Sequence, residues 1–173
     1  MNTVSLYIAS LHHYNQGELK GEWIEVGPHD TSDDIRSAIQ ALLESWDVEE
    51  YAIHDYEGLP SAIASEHMSL EKVAAYTTLL DRFQKQIVEA YFQSCFHYEV
   101  DAHAWGRDIE DRILGVYDSV EEWAYERAEM AGWTDDMSTH YFDAEAFARD
   151  ARLNGDITAI DLGIDTTVVF AAH

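Results

Sequence analysis

A single cysteine, Cys95, stands among 173 residues. It cannot close an intrachain disulfide, and a chain without one suits a reducing compartment. Its neighbours Phe92, Phe96 and Tyr98 mark a packed thiol rather than a nucleophile. Basic side chains are equally scarce, ten in all and scattered, with no run of Lys or Arg to follow a phosphate backbone. Direct binding to nucleic acid or to an anionic membrane is therefore disfavoured. Nowhere do about 18 apolar residues run uninterrupted, which argues against a spanning helix, and the stretch Met1 to Leu11 has no basic flank or small-residue cleavage site. The expected location is the cytoplasm.

Catalytic signatures are missing too. There is no Gly-x-Ser-x-Gly elbow, no Gly-rich phosphate loop, no paired-Cys motif, no His-Glu-x-x-His helix and no calcium loop. Asp101 and His103 with His97, or Asp55 beside His54, offer metal-ligand chemistry, but nine His in an acidic chain produce such neighbours by chance. Any two of 34 carboxylates can be posed as an acid and base pair, so that signal carries almost nothing. The expectation is a protein that is not an enzyme and holds no cofactor or metal.

What the chain has in excess is negative charge: 34 acidic side chains against 10 basic ones, for a formal charge of −24. With 47% apolar residues and five Trp it is no disordered acidic tail and should fold. The charge is uneven. Residues 1–60 carry net −10, residues 61–103 only −3, and residues 104–173 net −11. That pattern divides the chain into an N-terminal α+β module (1–60), a helical middle (61–103) and an acidic C-terminal α+β module (104–173).

In the first module Val4 to Ala9 alternates as a strand, a turn falls near Asn15 to Gly17, and Trp23, Ile24 and Val26 resume the strand pattern, which reads as a hairpin. Thr31 with Asp34 forms a candidate capping box before a helix whose stripe is Ile35, Ala38, Ile39, Leu42, Leu43 and Trp46. Tyr51 to His54 reads as a third strand. Between Ser69 and Phe96, apolar residues at three- and four-residue steps give two helices or one bent helix. Further helices are expected over Val120–Ala131 and Ala144–Leu153, the latter stopped by Asn154 and Gly155, with a closing strand over Thr166–Ala171.

The helix after Tyr117 is the most informative. Val116, Val120, Trp123 and Met130 define an inward stripe, while Asp118, Glu122, Glu126 and Glu129 form an outward row interrupted only by Arg127. Like charges at such spacing cost about 0.2–0.5 kcal/mol per pair, so helix stability does not select them. The plain interpretation is a solvated face. The sharper one compares charge densities: carboxylates every three or four residues lie roughly 4.5–6 Å apart along a helix axis, against one charge per about 3.4 Å on each DNA strand. Two adjacent acidic rows approach that density.

The stretches YIASLHHYNQGELKGEW (Tyr7 to Trp23), EEYAIHDYEGLP (Glu49 to Pro60), DSVEEWA (Asp118 to Ala124) and YFDAEAFARDARLNGDI (Tyr141 to Ile157) resemble, in order and spacing, the ArdA antirestriction family. The resemblance implies an elongated three-module α+β homodimer that imitates bent B-form DNA with surface carboxylates. Proteins of that family occupy the DNA-binding groove of type I restriction-modification enzymes, blocking restriction and sometimes modification, and are carried by mobile genetic elements such as plasmids and phages. It places the dimer contact in the C-terminal module, where Phe142, Phe147, Val168 and Phe170 are candidates that also suit a core. The nearly neutral middle departs from the pattern, and the resemblance is not drawn over the stretch His97–Ile109, whose role it leaves unassigned.

The partner-binding surface expected on this basis comprises Asp33, Asp34, Glu44, Asp47, Glu49 and Glu50 near one end. Near the other it comprises Asp108, Asp111, Asp118, Glu121, Glu122, Glu126, Glu129, Asp135 and Asp136. The alternative function is an acidic adaptor or regulator that binds some other basic DNA-binding protein. A third explanation, adaptation of the whole chain to high salt, accounts for the charge without any partner.

Overall fold

The computed structural model describes residues 3–65, 68–94, 101–133 and 142–172. Helices and strands are mixed in an α+β arrangement, with two three-stranded antiparallel sheets among the described residues. The chain divides into two compact units, Met1–Val88 with Phe96–Gly106, and Glu89–Cys95 with Arg107–His173. No helix of the described residues is long and apolar enough to cross a membrane.

The first unit is built on a sheet of order β2-β1-β3, from strands β1 (Val4–Ser10), β2 (Gly21–Val26) and β3 (Tyr51–Glu57). Alternation along β1 sets its two faces. Val4, Leu6 and Ile8 are wholly buried, whereas Ser5 and Tyr7 between them stay half-buried on the opposite face. Register carries this across the sheet: Tyr7 pairs with Trp23 on one side and Asp55 on the other, and Ser5 with Glu25 and Glu57. A bulge between Tyr7 and Ile8 skips His54, whose ring meets Tyr14 edge-on at 4.9 Å.

β1 and β2 pair antiparallel as expected, but their connection is more than a turn. It contains a short helix, α1 (Leu11–Asn15), started by the Ser10 side chain accepting from the His13 amide. Helix α2 (Ser32–Trp46) opens on the reciprocal capping box of Thr31 and Asp34. Its buried stripe is Ile35, Ile39 and Leu43, while Ala38, expected in that stripe, is exposed at its margin. The middle stretch resolves into two helices, α3 (Leu70–Arg82) and α4 (Lys85–Ser94), parted where Phe83 turns to extended backbone. Helix α3 buries Leu70, Val73, Tyr76, Leu79 and Leu80, and its Thr78 hydroxyl reaches the Pro28 carbonyl at 3.3 Å.

Helix α5 (Ala102–Arg112) leads into the second unit, whose sheet has the order β4-β6-β5, formed by β4 (Ile113–Tyr117), β5 (Ile157–Gly163) and β6 (Thr166–Ala171). The central strand buries Val168, Val169 and Phe170 completely. Val169 packs with Val120, Trp123 and Ala124 of α6 (Val120–Met130) and Ala144, Ala148 and Ala151 of α7 (Ala144–Asn154). The small residues let the two helices approach closely. Phe170 lies 6.3 Å from the Tyr91 ring and 5.9 Å from the Arg112 guanidinium, and Arg112 donates to the Ala171 carbonyl at 3.0 Å.

Two residues leave the inward stripe expected for α6. Val116 belongs to β4, because the Ser119 cap starts the helix only at Val120, and Met130, at the last helical position, is 70% exposed. The inward row is Val120, Trp123, Ala124 and Ala128. Helix α7 ends as expected on Gly155, whose φ of 76° is the left-handed conformation of a helix stop.

Candidate acidic interaction surface

In the first unit the expected acids gather around α2 and the loop after it. Asp33 sits in the first turn, where the helix dipole favours it, and takes an Arg36 guanidinium at 2.6 Å; the same Arg36 reaches Glu71 at 3.4 Å. Both pairs are well exposed and so are worth little in stability. The Thr31 hydroxyl and then the Thr31 amide, donating to Asp34 at 2.6 and 2.9 Å, hold that carboxyl below its ordinary value. The stability this linkage supplies is present above the ordinary carboxylate range and is lost as pH falls through the depressed value. Glu44 lies on the exposed side of α2 and accepts from Gln40 at 3.3 Å. Asp47, Glu49 and Glu50 come together with His12, Asn15 and Gln16 around an open cleft of about 490 Å³.

In the second unit the acids divide by what they already hold. Asp108 is bridged to the buried Arg112 at 3.2 Å. Glu122 reaches back to the Asp118 amide at 2.8 Å, and Glu126, half-buried, accepts the Tyr117 hydroxyl. Burial first, then the hydrogen bond and charge of Glu126, push the Tyr117 phenol up to about 12. Asp111, Asp118 and Glu129 are exposed; Glu121 is half-buried and lines an open cleft of about 320 Å³ with Glu145, Arg149 and Arg152. Asp135 and Asp136 lie outside the described residues. Among the described residues, Asp34, Glu44, Asp47, Glu49, Glu50, Asp111, Asp118, Glu121, Glu122, Glu126 and Glu129 form no ion pair with a Lys or Arg.

The four candidate contact residues separate into two kinds. Val168 and Phe170 are enclosed in the chain's own core. Phe142 and Phe147 are half-buried in an aromatic cluster: their rings lie 5.5 Å apart, Phe147 stacks on Trp123 at 5.8 Å, and the exposed Tyr125 and Trp133 join at 5.7 and 6.0 Å.

Of the metal-ligand pairs, His97 lies outside the described residues, and Asp101 caps α5 by accepting the His103 and Ala104 amides at 2.9 and 3.2 Å. Among the described residues no group of three or more His, Cys, Asp or Glu is placed to hold a metal ion.

Further acids on the first sheet escaped the sequence reading. Glu25, Asp55 and Glu57 share the face of Tyr7 and Trp23. The signal was present as two-residue spacing, Trp23 with Glu25 and Asp55 with Glu57, but it shows only when the strands are in register.

A family model described as "Antirestriction protein (ArdA)" matches residues 6–166 of the 173. No curated protein matches the chain.

Proposed function

Because the chain belongs to the ArdA antirestriction family, we propose that it acts as a non-catalytic mimic of DNA, filling the DNA-binding groove of a type I restriction-modification enzyme. One observation supports this reading above the others: most of the expected acids are exposed and carry no cationic partner among the described residues. A carboxylate neutralised within its own chain imitates nothing, whereas an unpaired one keeps its charge for a basic groove. Docking then releases the counterions held by both surfaces, so the interaction weakens as salt rises. A homodimer, with Phe142 and Phe147 at the contact, doubles the length of acidic surface presented. Where cleavage and methylation share the blocked groove, modification falls together with restriction. The protein works in the cytoplasm, where entering DNA meets the restriction enzyme, and does not itself bind nucleic acid.

The test is to plate unmodified phage on cells with a type I system, with and without this protein. The expected result is a rise in plating efficiency when the protein is made. In purified form, duplex DNA is expected to displace the protein from the enzyme. Failure of displacement would end the groove-filling account and favour the acidic adaptor, and unchanged restriction across several type I systems would do the same.

A further inference from the structure

We propose that the outer face of the β2-β1-β3 sheet is a seat for arginine side chains of a basic partner. The inference deepens the reading above and rests on it only for the partner's identity. Two cross-strand rows define the face: Trp23, Tyr7 and Asp55 in one, Glu25, Ser5 and Glu57 in the next. The Trp23 and Tyr7 rings lie 5.3 Å apart and are tilted by 57°, and Trp23 leaves 42% of its surface exposed. A Cβ added at Gly21 would meet the Tyr7 ring at 2.6 Å, so glycine there lets the ring lie flat over the neighbouring strand. The opposite face, with Val4, Leu6 and Ile8, is the one consumed by the core.

The carboxylates around the aromatic pair are exposed, and among the described residues Glu25, Asp55 and Glu57 form no ion pair. Asp55 and Glu57 lie about 6.8 Å apart along their strand, and Asp55 is directly across from Tyr7. An exposed Trp23 ring beside the half-buried Tyr7, bordered by carboxylates that form no ion pair, complements one side chain better than any other. The guanidinium of arginine stacks its plane on an aromatic ring while its N–H groups donate sideways to carboxylate oxygens. A lysine ammonium makes the ion pair but has no plane to stack. The phosphate-like acids of the helices attract any cation; this face adds a preference for arginine.

The experiment titrates the ¹⁵N-labelled full chain with tetra-arginine and, separately, with tetra-lysine, following backbone amides and Trp indole resonances by NMR. The Trp23 indole is identified by its loss in Trp23→Leu, a change at an exposed position. Tetra-arginine is expected to shift the Trp23 indole and the Asp55 and Glu57 amides, binding about twofold to fivefold tighter than tetra-lysine. Trp23→Leu should erase that preference, and the combined Glu25→Gln, Asp55→Asn and Glu57→Gln variant, which keeps both rings, should remove binding at the face. Equal binding of the two peptides, or arginine-induced shifts that bypass Trp23, would overturn the proposal. An arginine preference in a chain that leaves phage restriction unchanged would uphold this face while removing the restriction enzyme as its partner.

Discussion

Tyr117 donates its phenolic hydrogen to a carboxylate oxygen of Glu126, nine residues on, and so ties the end of β4 to the helix that follows. One member of the acidic row on α6 thus has a task inside the fold. Glu122 has another, reaching the Asp118 amide ahead of the helix. The row that looks uniform in sequence contains two residues that shape a corner and others that only face solvent.

The Tyr117 bond gives a pH signature. The folded-state phenol is raised to about 12, above the value near 10 expected in the unfolded chain, so its contribution is complete below about pH 10 and is lost between there and about pH 12. Tyr117→Phe should cost about 1 kcal/mol at neutral pH, with the half-buried Glu126 left short of a donor. It should also flatten the decline of melting temperature above pH 10. A variant that melts like the parent at pH 7 and at pH 11 would show that the bond contributes nothing in solution.

Division of labour along α6 separates binding from folding. Glu129 is exposed with no ion pair among the described residues and sits in the last turn of α6, at the negative end of the helix dipole, so Glu129→Gln should not lower the melting temperature and should weaken inhibition by less than about threefold, the scale of one exposed charge pair. Glu126→Gln should lower the melting temperature through its bond to Tyr117. Complete loss of inhibition from Glu129→Gln, measured as an inhibition constant, would mean that one carboxylate dominates and that distributed mimicry is wrong.

Elements were legible where several local signals agreed. For α2 the Thr31–Asp34 box, the dipole-compatible Asp33 and the four-residue steps of Ile35, Ile39 and Leu43 all pointed one way. Strand β6, an apolar run beginning with two Thr, was read at its observed bounds. Strand β4 was missed because its five residues join directly onto α5, and because Val116 lies four residues before Val120 and so fits the helical stripe of α6 although the Ser119 cap separates them. In β5 Asp161 interrupts the apolar pattern, and its reason appears only in the fold, where it accepts the Thr167 hydroxyl across the strands at 2.8 Å. The five residues of α1 are too few to show a period. The candidate surface was legible as a quantity of charge and not as a map: whether an acid faces solvent or serves an Arg112 or a Tyr117, four and nine residues away, depends on side-chain orientations that only the folded chain fixes.

Charge repulsion should make this protein more stable in salt. At −24 the folded chain holds like charges closer than the unfolded chain does, and raising NaCl from about 20 to about 500 mM shortens the screening length from roughly 20 Å to under 5 Å. The melting temperature should therefore rise over that range, while inhibition of the restriction enzyme should weaken over the same range. Calorimetry that finds no change with ionic strength would count against a dense acidic exterior.

Asp47 is the residue where fold and surface pull in opposite directions. It closes α2 in the left-handed conformation, with φ 55° and ψ 48°, a geometry that glycine or asparagine adopts at lower cost. It also places negative charge at the negative end of the helix dipole, beside Glu44 and with no basic residue in the last turn. Asp47→Asn should relieve the dipole conflict by about 0.3–0.5 kcal/mol, raising the melting temperature by about 1–2 °C. Asp47→Gly should add relief of the backbone strain. If the carboxylates around the His12 cleft are kept for a basic partner, both variants will be more stable and about twofold weaker as inhibitors. Variants that gain stability and inhibit as well as the parent would take Asp47 out of the interaction surface.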